Sequence, residues 1–179
     1  MDRPSITVPL VRFVGIGGHV EPGESWGEAV LREAREEAGL EVSLVAPEAT
    51  YLLDDDGTVT DISTMLDWPD CPRPWFIWSG VQSLGRAPQE YAHHLLTAAF
   101  SAVVPGDVEP HPLSEMPAIV AISEAHLRRA AEQPVRLGDL LADGAHIWES
   151  TAVPRPALLD PAGSARGYAV LLTQHASRA

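Results

Sequence analysis

Three glutamates, Glu33, Glu36 and Glu37, stand at i, i+3 and i+4 within WGEAVLREAREEAGL. At about 100° per residue these positions share one face of a helix, so the sequence gathers three carboxylates into one cluster. Trp26, Ala29 and Val30 occupy the same sector one or two turns earlier, which makes the cluster a continuation of the apolar stripe expected to face the interior. Like charges about 4 Å apart repel by roughly 4 kcal/mol at an effective dielectric of about 20, and a fold accepts that only where a cation or protons offset it. Arg32 and Arg35 fall on the opposite side with Glu28, where Glu28 and Arg32 are spaced for an ordinary i, i+4 surface pair. The counter-charge suited to this set of oxygens is a hard divalent cation, Mg²⁺ or Mn²⁺, which also bridges to phosphates. The alternative is a solvated charge run on an exposed helix.

The elements that must hold these carboxylates follow from local signals. Residues 6–16 are rich in β-branched and apolar types and read as a strand ending at Gly15, Gly17 and Gly18. A loop, HVEPGE, comes next. Ser25 and Glu28 have capping-box spacing and Gly39 stands where a left-handed cap belongs, so a helix is expected over 26–38. Residues 41–53 read as a strand, and Asp54, Asp55, Asp56 and Gly57 as a solvated turn. From 58 to 87 the chain turns Trp-, Pro- and Gly-rich, and a long loop, lid or insertion is expected there. Strands are expected over 91–104 and 118–123, helices over 123–132 and 137–142, and a hairpin of two strands around DPAGS over 154–174. The whole, 1–179, reads as one domain of mixed α and β elements.

Composition bounds what such a domain can bind. The 179 residues carry 25 acidic and 12 basic side chains, a formal charge of -13, which argues against a nucleic-acid duplex or an anionic membrane as partner. All twelve basic residues are Arg, and Asn is absent as well as Lys, so a phosphate clamp must use Arg or His and a base-reading amide must be Gln. At 45% hydrophobic and 21% charged, with no apolar run of membrane-spanning length, a globular soluble protein is expected. A lone Cys71 and an N-terminus without signal-peptide pattern point to a reducing cytoplasm.

Residues 18–40 resemble the Nudix box: Gly18, five residues, Glu24, seven residues, Arg32-Glu33, Ala34, Arg35, Glu36-Glu37, Ala38, Gly39, Leu40. At roughly 7% usage per position, seven fixed residues coincide by chance on the order of 10⁻⁸ times. The resemblance to the Nudix hydrolase superfamily implies an α/β/α sandwich with a mixed β-sheet, in which the box forms a loop-helix-loop. It implies hydrolysis of a nucleoside diphosphate linked to another group, by attack of water on a pyrophosphate phosphorus. Glu36 and Glu37 would be metal ligands, Glu33 a ligand or a water-orienting base, and Gly18 a ligand through its carbonyl. Arg32 would orient Glu33, and Glu24 would bind metal through water or brace the loop. Glu115, in SEMPAIVAIS, resembles a downstream acidic position that supplies a further ligand or general base; a solvated loop glutamate is the other reading. The expected partner is a small nucleotide, with a pyrophosphohydrolase as the expected enzyme and a nucleotide-sensing module without turnover as the alternative.

Other residues are weaker candidates. His19 touches a phosphate or is simply a solvated loop histidine; His93 and His94 are either ligands or a core and surface pair. Trp68, Trp75 and Trp78 either stack a base or pin the lid to the core. Two departures from the family stand out. Val14 occupies the position where members that cleave oxidised purine triphosphates carry a base-reading Asn, and only 17 residues precede Gly18, where members usually have two strands. The 154–174 hairpin is either accessory, on a chain whose start is placed too late, or replaces those strands, within one chain as a permutation or between two chains of a homodimer as a swap.

Overall fold

A computed structural model of the chain describes residues 8–65, 67–68, 72–82, 93–113 and 116–176. In chain order its elements are β1 (Leu10–Phe13), α1 (Trp26–Ala38), β2 (Ser43–Val45), β3 (Tyr51–Asp54), β4 (Val59–Asp61), β5 (Phe76–Gln82), β6 (His93–Ala99), β7 (Ser101–Val103), β8 (Ala118–Ala121), α2 (Glu124–Glu132), β9 (Val135–Arg136), α3 (Leu137–Ala142), β10 (His146–Glu149), β11 (Leu158–Pro161) and α4 (Gly163–Ala176). The class is mixed α/β with both parallel and antiparallel pairings, as expected. Contacts gather the chain into two compact units, Ile16–Glu109, and Met1–Gly15 together with Pro110–Ala179.

In the first unit α1 begins and ends where its caps dictate. Ser25 Oγ accepts from the Glu28 amide at 3.3 Å while Glu28 Oε2 accepts from the Ser25 amide at 2.8 Å, and Gly39 closes the helix at φ 64°. Its buried residues are Ala29, Ala34 and Ala38. The strand expected over 41–53 divides in two. Pro47, which has no N–H to give a ladder, lies between β2, paired antiparallel with β7, and β3, which joins the sheet ordered β4-β3-β5-β6. The Asp54 to Gly57 turn closes the β3–β4 hairpin, with Gly57 at φ 84° donating to Asp54 O at 2.9 Å.

The stretch 58–87, read from sequence as a lid or loop, contains two strands, β4 and β5, with residues 66, 69–71 and 83–87 outside the described set. Its described prolines, Pro72 and Pro74, precede β5 rather than interrupt it, and Phe76, Ile77 and Trp78 are strand formers. Thr50 fastens this region. Fully buried, it donates its hydroxyl to Pro74 O at 2.8 Å, accepts Ile62 N on its carbonyl at 2.9 Å, and gives its own amide to Ser63 Oγ at 3.0 Å. Phe76, Leu53, Ile77 and Ile62 are buried around it in sequence terms, all at or below 6% exposure.

The second unit draws together both ends of the chain. β1 runs parallel to β11, Leu10 facing Leu158 and Phe13 facing Pro161, and β9 pairs antiparallel on the far side of β11. β8 and β10 form a separate antiparallel pair. One core cluster comprises Ala130, Val135, Leu137, Leu140, Ala145 and Leu159; another joins Leu127 of α2 to Ala169 and Leu172 of α4. α2 is capped by Ser123 as its sequence predicts, and α3 spans the predicted residues.

The expected C-terminal hairpin is corrected here: only its first strand exists, and after Ala162 the chain enters α4 instead of a second strand. Ala165, Tyr168, Ala169 and Leu172 recur at i, i+3, i+4 and i+7 and form the face packed on Leu127, a helical period that outweighs the apolar run AVLL. The docking of this segment on β1 makes its removal costly. Deleting residues 154–179 should strip β1 of its strand neighbour and abolish the cooperative unfolding of this unit in a circular-dichroism melt. Leu171→Ala, at a fully buried position, should lower stability by about 2–5 kcal/mol in urea titration.

A pH effect belongs to the same unit. The Val153 amide, and with it the Arg155 guanidinium at 2.6 Å, holds the Glu149 carboxyl below its ordinary 4.5. A depressed folded value stabilises above the unfolded value and is lost as pH falls through the folded one. The stability difference between wild type and Glu149→Gln should therefore be constant above pH 4.5 and shrink below it, as measured by denaturant midpoints across the acid range.

Candidate functional site

The site is built on residues 32–37 of α1 and the loop before it, all within the Ile16–Glu109 unit. Its centre is Arg32. Nε donates to Glu24 Oε1 at 3.0 Å and Nη2 to Glu24 Oε2 at 3.1 Å, a two-point fork. Nη1 is shared between Glu33 Oε1 at 2.8 Å and Glu36 Oε2 at 3.1 Å, and Nη2 also reaches His19 O at 2.9 Å. Five hydrogen bonds match the five N–H donors of a guanidinium. The Arg32 side chain is only 21% exposed, and the Glu24 fork together with Glu33 raises its pKa further.

This arrangement corrects the side of the helix assigned to Arg32. The helical wheel places its Cβ away from the glutamates, yet a long side chain leaves its own azimuth, and the head group lies among them. The expected Glu28–Arg32 surface pair does not form, because Glu28 is committed to the cap at Ser25. The three carboxylates also do not all turn inward: Glu33 is 13% exposed, Glu36 is 56% exposed, and the buried positions of α1 are alanines.

The remaining members of the predicted set fall nearby. Glu37 Oε2 accepts the amide of Gly17 at 3.0 Å, while its burial, seconded by the charge of Glu33, pushes its pKa up. Glu24 is pulled down by the Arg32 fork and the Glu21 amide. Gly18 lies against Glu33 so closely that a Cβ there would collide with the carboxylate. Gly17 is the participant that sequence reasoning did not assign; its signal was the glycine run itself, where backbone amides can approach a side chain without obstruction. Glu115 lies outside the described residues, as do the side chains of His93 and His94, whose backbones belong to β6. Trp68 packs against Trp26 of α1 with ring centroids 6.0 Å apart, while Trp75 meets Phe76 edge-on. Asp54, Asp55 and Asp56 occupy the β3–β4 turn.

Three carboxylates on one guanidinium, with Glu37 held separately by the Gly17 amide, leave the cluster negative. Among the described residues no three His, Cys, Asp or Glu side chains already converge at metal-ligand spacing; Arg32 draws Glu24, Glu33 and Glu36 toward itself instead. The donor chemistry nevertheless fits a hard divalent cation, since every side chain in the cluster besides Arg32 offers oxygen, and the missing Cβ of Gly18 brings a backbone carbonyl-bearing residue into contact with Glu33. A shallow groove of about 280 Å³ in the other unit, lined by Leu10, Gln133, Leu158 and Asp160 among others, includes none of these residues.

Comparison with known proteins gives one result. A family model described as the NUDIX domain matches residues 5–139, which takes in the whole carboxylate helix and stops inside α3. No curated protein and no solved structure matches the chain. With the match extending over well more than half of the 179 residues, and with Arg32, Glu33, Glu36 and Glu37 inside it, the chain belongs to the NUDIX domain family.

Proposed function

We propose that the protein is a divalent-cation-dependent pyrophosphohydrolase acting on a small nucleoside diphosphate derivative. The family as a whole hydrolyses nucleoside diphosphate-linked compounds and generally uses divalent metals such as Mg²⁺. The observation that carries the reading is the carboxylate cluster of α1, braced by Arg32 yet left with excess negative charge. Glu33, Glu36, Glu37 and the Gly18 carbonyl would hold Mg²⁺ or Mn²⁺, which supplies charge neutralisation at a pyrophosphate and activation of water.

The chain's own residues then have separate tasks. Arg32 fixes one oxygen of Glu33 and leaves its second oxygen to ligate or to take a proton from the attacking water. Glu24 holds Arg32 through both oxygens, which ties the loop 19–24 to the helix. Gly17 keeps the Glu37 carboxylate turned toward the loop, and Glu115 would serve as a further base or ligand. A strongly acidic chain favours a small nucleotide that brings its own counter-ion over a long polyanion, and a cytoplasmic setting accompanies that substrate.

The test is a panel of nucleotide sugars, dinucleotides, ADP-ribose and nucleoside triphosphates with Mg²⁺, read by product identity, with ¹⁸O-water to locate the attacked phosphorus. Glu36→Gln and Glu37→Gln should each lower the rate by about 10²-fold or more without changing the melting curve. Arg32→Lys, which cannot reproduce the fork, should cost about 10- to 100-fold through misplacement of Glu33. Equal turnover of wild type and Glu37→Gln would refute the reading, and tight nucleotide binding without product would mark a sensor.

A further inference from the structure

Three tryptophans, Trp68, Trp75 and Trp78, stand in sequence as either a stacking surface or a packing device, and the structure separates them. Trp75 meets the buried Phe76 edge-on, and Trp78 lies across Gly80, where a Cβ would collide with its ring. Trp68 is the one of the three that goes to the carboxylate helix. Its ring centroid is 6.0 Å from that of Trp26 at an angle of 48°, so the two indoles meet tilted rather than stacked flat, and both stay half-buried.

Trp26 opens α1 and stands seven residues before Glu33. Two turns of helix bring it back to within about 20° of the same azimuth, with a rise between them of about 10 Å. Side chains on a helix lean toward its N-terminus, so this rise carries over from the backbone to the indole and the carboxylate. Val30 lies between the two in the same sector. Trp26, Val30, Glu33 and Glu37 are all half-buried, whereas Ala29 on one side of them and Ala34 and Ala38 on the other are fully buried. From its start, this helix face therefore presents an aromatic pair, an aliphatic floor and then the carboxylates.

We propose that Trp26 and Trp68 form the stacking wall for the nucleobase of the substrate, at the far end of the helix face that carries Glu33 and Glu37. This rests on the functional reading above, which brings a nucleoside diphosphate derivative to the carboxylates. One ribose and one phosphate bridge the separation along the helix, so a pyrophosphate at the carboxylates leaves its base beside the indoles. Every base has a π-face, and an indole reads the area of that face rather than the hydrogen-bonding edge. The substrate is thereby selected by ring size: purine derivatives bind better than pyrimidine ones, and adenine and guanine are accepted alike. The absence of Asn, one of the two side-chain amides that pair with base edges, accords with recognition by area.

The experiment measures binding of AMP, GMP, CMP and UMP to the full chain by titration calorimetry with Mg²⁺ present, with inorganic pyrophosphate, which has no base, as the reference ligand. Wild type should bind AMP and GMP within about three-fold of one another, and CMP and UMP more weakly than either. Trp26→Ala and Trp68→Ala should each weaken AMP binding by about five- to a hundred-fold, the worth of one stacked base, and leave pyrophosphate binding unchanged. Trp26→Phe and Trp68→Phe, with smaller rings, should fall between. They carry the test if an alanine variant fails to fold, because the ratio of AMP to pyrophosphate affinity does not depend on the folded fraction. Equal losses for AMP and pyrophosphate, as a merely structural pair would give, overturn the proposal. So does unchanged AMP affinity in the variants, or discrimination between AMP and GMP of about ten-fold or more, the mark of edge readout. The predicted affinities in a protein that turns over no nucleotide refute the hydrolase reading and leave the stacking wall standing. A wild type that hydrolyses nucleotides with no loss of AMP affinity in any variant does the reverse, and one that binds neither AMP nor pyrophosphate overturns both.

Discussion

Arg32 has five N–H donors in a single plane, and the structure spends them on three glutamates and one carbonyl. That distribution decides the geometry of everything around it. The fork on Glu24 ties the loop 19–24 to the second turn of α1, and the shared Nη1 holds Glu33 and Glu36 on one donor despite their like charge. A lysine, with one ammonium and no planar fork, could neutralise as much charge but could not impose these directions. The chain's exclusive use of Arg as its basic side chain is thus compatible with a site whose demand is angular as much as electrostatic.

The carboxylate helix was legible because its signals are local. The Ser25 and Glu28 cap, the Gly39 stop and the glutamate spacing all act within a few residues, and the structure repeats them without change. What the helical wheel could not give was the destination of a long side chain: it orients Cβ atoms, and the Arg32 head group lies several bonds beyond its Cβ. The same limit explains Glu28, which had two partners within reach and took the backbone amide at Ser25, where no side-chain entropy has to be lost by a second residue.

Outside the helix, errors arose where long-range pairing overrides composition. β5 was hidden by the prolines and tryptophans around it, although pairing with β6, the next strand, and with β3, 25 residues back, is what makes it a strand. The C-terminal segment was mistaken in the other direction. AVLL after a turn resembles a strand, yet Tyr168, Ala169 and Leu172 meet Leu127 only if the segment is helical. The pairing of β1 with β11 lies at a sequence distance that no local rule senses, and it gives residues near the C-terminus a place beside the strand that leads into the box.

Two of the fully buried residues of α1, Ala34 and Ala38, stand one turn apart on the same face. Alanine has no side-chain rotamers to exchange, so this surface has no means of repacking when its surroundings shift. A helix seated on leucines can absorb a displacement by changing χ angles; one seated on alanines can only translate or tilt as a body. A shift against Ala34 and Ala38 is therefore passed to the backbone that carries Glu33, Glu36 and Glu37, and sequence drift at the positions touching these two alanines would move the carboxylates as a set even though no acidic residue is altered.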